Sequence, residues 1–174
     1  MITETLVRFT DWLAATSLSR IVAENFWIVP ALQTIHILSV AVVLAGVVFI
    51  NLRIVGVLDR GQPVPAVLDR FLRPIAVAVV VLVITGVLLI AGEPTRAVFR
   101  TVFWAKMAFI VGAVALTWSH RFAYRAAGEV GGESALGATP ARKLVAIAAL
   151  LLWLAVIVAG RWIAYVEAWP GAPA

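Results

Sequence analysis

An ionisable side chain inside a bilayer is costly, so each one that falls within a long apolar run is a candidate for function. His36, Lys106 and Arg161 stand inside such runs, and His120 stands at the edge of one. Histidine can ligate haem iron or another metal, or bond a quinone, while Lys106 and Arg161 could neutralise haem propionates, a lipid phosphate or a substrate anion. On a helical wheel Gln33, His36 and Ser39 share an arc of about 120°. Lys106, Ala113, Thr117, His120 and Tyr124 form a second seam, at spacings of seven, four, three and four residues. Such spacings keep small and polar groups on one helix face, as inside a bundle.

The sharpest chemistry open to this set is a b-type haem with His36 as axial ligand; His36 is also the candidate ligand for any other metal. His120 is a poor second ligand, because at 1.5 Å per residue it lies roughly 18 Å deeper along the membrane normal. Met107 matches the depth of His36 to within roughly 2 Å, and a His/Met pair is chemically allowed. It sits about 100° around the helix from Lys106, off the polar seam. A symmetric dimer pairing His36 with its mate is a further option. Gln33, Ser39 and Tyr165 complete the candidate site as substrate contacts.

The plainer expectation, ranked first, is a neutral His36 imidazole bonded to a neighbouring span and holding helices together. Lys106 and Arg161 then snorkel toward the headgroups, with Glu93, Glu167 or Glu24 as counterions. His120, beside Arg121, is expected at the membrane edge.

The elements that must position these residues follow from composition and punctuation. Of the 174 residues 63% are hydrophobic, and the mean hydropathy is +1.04, well above soluble usage of roughly 45–50% apolar residues. Each crossing of a hydrocarbon core about 30 Å thick needs on the order of 20 apolar residues. Four such runs are predicted, at about residues 27–51, 74–92, 101–121 and 144–165. Ahead of them Ile2, Leu6, Phe9 and Leu13 recur at helical spacing while Glu4, Arg8 and Asp11 lie elsewhere, predicting an amphipathic interfacial helix over about residues 2–22. Gly61, Pro63 and Pro65 place a loop between the first two spans, and Gly128, Gly131, Gly132, Gly137 and Pro140 place another between the last two. The fold class is therefore all-α: an integral membrane bundle of four helices, one domain over residues 1–174, with an N-terminal interfacial helix.

Composition also excludes. The net charge of +5 comes from arginines flanking the apolar runs, a pattern of membrane topogenesis and not of nucleic-acid binding. Without cysteine there is no disulfide, thiolate metal site or iron–sulfur ligation. No Asp or Glu falls inside a predicted span, which removes the usual buried carboxylate of a proton-coupled pump. No serine, histidine and carboxylate are buried together, so hydrolytic chemistry is not expected and the protein is read as no enzyme.

Arg53, Arg60, Arg70, Arg73, Arg121, Arg125, Arg142 and Lys143 border one side of the predicted bundle, twice as many cations as Arg8, Arg20, Arg96 and Arg100 on the other. Cytoplasmic loops carry the excess, so both termini are expected outside a bacterial inner membrane. Phe26, Trp27, Phe103, Trp104, Trp162, Tyr165 and Trp169 would form the outer aromatic belt.

Four short motifs carry a resemblance: Ile35-His36 in the first span, Asn51-Leu52-Arg53 with Gly56 at its end, Trp104 with Lys106-Met107, and Gly160-Arg161-Trp162-Ile163-Ala164-Tyr165. With these the chain resembles, over most of its length, a family of small bacterial membrane proteins with a domain of unknown function, distantly similar to copper resistance protein D. The resemblance implies a four-helix membrane domain without an established activity; copper handling is implied by the remote relative alone. With no cysteine, and one methionine besides Met1, the sequence has few soft ligands for copper. Three functions are carried forward in order: a non-enzymatic membrane subunit or anchor, with a homo-oligomeric or other membrane partner; a haem-binding electron-transfer subunit; and a transporter of a small solute or copper.

Overall fold

The computed structural model describes residues 2–58, 61–128, 139–163 and 165–166. Arg60, the glycines at 131, 132 and 137, Glu167 and Trp169 lie outside the described residues. Among the described residues the protein is all-α, with helices α1 (Ile2–Ala14), α2 (Ser17–Glu24), α3 (Ile28–Val55), α4 (Val64–Gly92), α5 (Pro94–Val98), α6 (Thr101–Gly128) and α7 (Pro140–Trp162). Four of them, α3, α4, α6 and α7, are long and apolar enough to cross a membrane, and the protein is a multi-pass membrane protein.

The amphipathic N-terminal segment is two helices, where one was expected. Thr16 ends the first and caps the second, its side chain accepting from the Ser19 N–H at 3.2 Å. This is the usual behaviour of threonine at a helix start. Ser19 then donates to the Ala91 carbonyl at 2.7 Å, which fastens α2 to the end of α4. Gly92 permits the approach, since a Cβ there would lie 2.8 Å from Val22 Cγ1. Together α1, α2 and α5 cover one end of the bundle, here termed the capped end; the α3–α4 and α6–α7 connections mark the open end.

The largest departure from the sequence expectation is at the start of α4, which begins at Val64, ten residues before the predicted span. Pro63 is its N-cap and Pro65 lies in its first turn, where a missing N–H costs nothing. Pro74, expected to open the span, lies inside the helix. Val67, Leu68, Leu72 and Ile75 recur at helical spacing on this segment and are all buried, so packing carries the helix across the proline. The α3 helix also runs past its expected end, to Val55. It stops at Gly56, whose φ of 89° is left-handed and whose N–H bonds the Leu52 and Arg53 carbonyls. The Arg53 guanidinium then grips the Gln62 carbonyl, its Nε at 2.7 Å.

Helix α3 packs along α4 and α7, α6 packs along α7, and α4 and α6 touch only briefly. The core joins Val43, Val47, Ile50 and Ile54 of α3 to Val67, Leu68, Leu72 and Ile75 of α4, with Ala113, Tyr124, Ala146 and Trp153 from the other pair. Gly46 sets the α3–α4 spacing: a Cβ there would lie 2.8 Å from both Cδ1 and Cγ1 of Ile75. Small residues serve α6 and α7 likewise, with Ala113, Ala146 and Ala149 fully buried, as membrane helix interfaces prefer. The outward faces carry Ile37, Leu38, Val77, Val83, Val111 and Leu151, all exposed. Large aliphatic side chains turned outward fit a chain whose solvent is lipid.

Candidate functional site

His36 occupies the third turn of α3 and turns its half-buried ring toward α4. Its Nδ1 lies 2.7 Å from Thr85 Oγ1, and Thr85 Oγ1 also lies 2.8 Å from the Val81 carbonyl of its own helix. A threonine hydroxyl has one proton to give. Directed to Val81, that proton leaves Thr85 as acceptor, so His36 Nδ1–H donates and Nε2 keeps its lone pair. The opposite tautomer, with Thr85 donating to Nδ1, would leave the Val81 contact without its proton, so the bonding pattern favours the first. Gly86 leaves the ring room to lie against α4, a Cβ there being 3.7 Å from His36 Cε1.

Lys106 stands near enough for its charge to act on the His36 ring. Its stem crosses Gly160 of α7, where a Cβ would stand 3.5 Å from Nζ and 3.6 Å from Cε. Of the expected counterions, Glu93 instead bonds Arg96 at 2.9 Å. Among the described residues no hydrogen bond or ion pair reaches the Lys106 ammonium. The Lys106 ammonium can receive an acceptor or an anionic group, while the lone pair on His36 Nε2 can take a donor or a metal.

The remaining sequence candidates scatter. Gln33 is exposed, whereas Ser39 is buried and donates to the Ile35 carbonyl at 2.8 Å; the seam expected through both therefore turns away from Gln33. Met107 is half-buried on α6. Arg161 is exposed, with its guanidinium 5.3 Å from the centre of the exposed Tyr165 ring. A shallow apolar cleft lies nearby between α6 and α7, lined by residues including Val102, Phe109, Val158 and Trp162.

The second seam is the α6–α7 interface. Ala113, Thr117, His120 and Tyr124 are all buried, and Trp153 of α7 donates its indole N–H to Thr117 Oγ1 at 3.1 Å. His120, expected at the membrane edge, is 2% exposed. Burial follows from its place on the face that α7 covers. Thr85 was missed by the sequence reading. The available signal was that it is the one hydroxyl in residues 74–92, and a lone polar group in an apolar span needs a partner.

Residues 9–166 match the model of a family of unknown function (DUF6644), and the chain belongs to that family. No curated protein and no solved structure matches it.

Proposed function

We propose that this family member is a non-enzymatic membrane subunit, a four-helix scaffold that anchors a partner in the bacterial inner membrane with both termini outside. The observation that carries the reading is the use made of the polar groups in the spans: His36 bonds Thr85 across α3 and α4, and Trp153 bonds Thr117 across α7 and α6. These bonds join helices. Orientation rests on the excess of arginine and lysine at the open end. Native electrophoresis in mild detergent tests the scaffold, the expected result being a discrete assembly, with a second copy or another membrane protein, that dissociates in harsher detergent. A monomer that moves solute in proteoliposomes would refute it.

A second reading, a b-type haem on His36, is favoured by the lone pair that the Thr85 bond leaves on Nε2, since a metal-bound histidine commonly donates its other N–H to a fixed acceptor. Lys106 would then serve a propionate. Oxidised and dithionite-reduced spectra, taken on protein from cells supplied with haem precursor, decide between the two. A sharp reduced α-band that disappears in His36→Ala replaces the scaffold reading with this one; a featureless spectrum removes the haem. Copper transport, suggested by the remote resemblance, has His36 and Met107 for ligands and is not proposed.

A further inference from the structure

Among the described residues, two side-chain nitrogens at the open end of the bundle are buried without a hydrogen-bond partner. His120 of α6 is 2% exposed, and its Nε2 has no hydrogen-bond partner. Arg142, in the first turn of α7, leaves Nη1 equally buried and unpartnered. Arg142 reaches across the α6–α7 interface to the face of α6 that carries His120 and Tyr124. Tyr124, one helical turn beyond His120 and 7% exposed, lies under the guanidinium with 4.6 Å from Cζ to the ring centre. The aromatic ring covers the face of the guanidinium and leaves its N–H edge to be met by something else.

An arginine is always charged and has only donors to offer. Burying one of its N–H groups without an acceptor is among the costlier arrangements a fold can contain, and a membrane supplies little water to relieve it. With His120 in the tautomer protonated at Nε2, a group that accepts from both Arg142 Nη1–H and His120 Nε2–H and brings negative charge to offset the guanidinium would satisfy both nitrogens. These are the properties of an oxyanion. Asn51, buried at the same end, leaves Oδ1 unpartnered; as an acceptor it is no ligand for an anion and is not part of the site. Arg142 lies only two residues into α7, at the level where a spanning helix leaves the hydrocarbon and headgroup phosphates reside.

We propose that His120 and Arg142, with Tyr124 beneath the guanidinium, form a binding site for a phosphate-class oxyanion, either the phosphodiester of a membrane lipid or free phosphate. The site is at the opposite end of the bundle from His36 and Lys106 and does not depend on the function proposed for them.

The test uses the full chain, delipidated in a neutral detergent, with thermal unfolding followed in inorganic phosphate against chloride of equal ionic strength, and in phosphatidylglycerol against diacylglycerol, which lacks the phosphodiester. The expected result is a raised melting temperature with phosphate, with phosphatidylglycerol or with both, and binding about tenfold weaker in Arg142→Gln, as loss of one charge-assisted bond implies. Lys143→Gln should bind as the original chain does. A response to phosphatidylglycerol alone assigns the lipid headgroup; a response to phosphate alone assigns the free ion. Should Arg142→Gln fail to fold, native mass spectrometry of the unaltered chain and of His120→Phe replaces the comparison, with bound phospholipid or phosphate expected on the first and lost from the second. No response of the unaltered chain to either probe, or equal binding by Arg142→Gln or His120→Phe, overturns the proposal.

Discussion

Replacing Thr85 with valine removes one oxygen and keeps the branched shape that packs between α3 and α4. The Val81 carbonyl, which also receives the Thr85 hydroxyl at 2.8 Å, keeps its helical N–H partner, so the loss falls on His36. Its Nδ1–H, now 2.7 Å from Thr85 Oγ1, would face a methyl group. Hydrogen bonds between membrane helices are worth about 0.6 kcal/mol on average and about 1.7 at most. A short bond to a half-buried ring belongs somewhat above that average, and we expect a coupling of about 1 kcal/mol. The seven tryptophans give a fluorescence signal for unfolding in mixed micelles, so a double-mutant cycle with Thr85→Val, His36→Leu and the pair can be read directly. Thr85→Val should be destabilising in the original chain and close to neutral once His36 is leucine. If the two single effects instead add to within about 0.3 kcal/mol, His36 and Thr85 do not support each other, and the tautomer argued from their bond falls with it.

Two further outcomes follow from the packing and can be read in the same unfolding assay. Gly46→Ala forces a methyl to 2.8 Å from Ile75, an overpacking cost of about 1–3 kcal/mol set against a helix-propensity gain of about 1; the net loss of about 1 kcal/mol should become a gain in an Ile75→Ala background, where the obstructing atoms are gone. Asn51 is fully buried with Nδ2 on the Val47 carbonyl and, among the described residues, no partner for Oδ1, so Asn51→Leu should be neutral or stabilising by about 1 kcal/mol, and a loss of that size would show that its carbonyl has a partner.

Residue pattern made parts of this fold legible and hid others for definable reasons. The α6 seam was readable because Ala113, Thr117, His120 and Tyr124 repeat at the helical period, and a period reports a shared face whatever lies opposite. Opposite faces are not encoded in that way: Trp153 meets Thr117, and Arg142 meets the Tyr124 ring, only through the register of α7. The start of α4 was obscured by Pro63 and Pro65, which read as loop, and by Pro74, which read as the first residue of the span; yet the first two occupy the cap and first turn, and the buried positions Val67, Leu68, Leu72 and Ile75 kept the helical spacing throughout. In α3, Gln33, His36 and Ser39 fall within one arc, but an arc of about 120° is wide enough for one edge to meet a neighbour and the other to meet lipid. His36 was identifiable as a rare polar group in a span. Its tautomer depends on Thr85 and was not.

The pairing of helices bears on how the chain is assembled during synthesis. Helix α3 meets α4 as soon as both have left the ribosome, and the first hairpin can close on Gly46 while the rest is still being made. Helix α6 has no such companion waiting, because it scarcely touches α4 and its true neighbour, α7, is the last to be translated. Until α7 arrives, His120 faces lipid or the insertion machinery, and Thr117 has only the Ala113 carbonyl of its own helix to bond. The final helix therefore performs two tasks at once: it covers the polar face of α6, and by packing on α3 it joins the late hairpin to the early one.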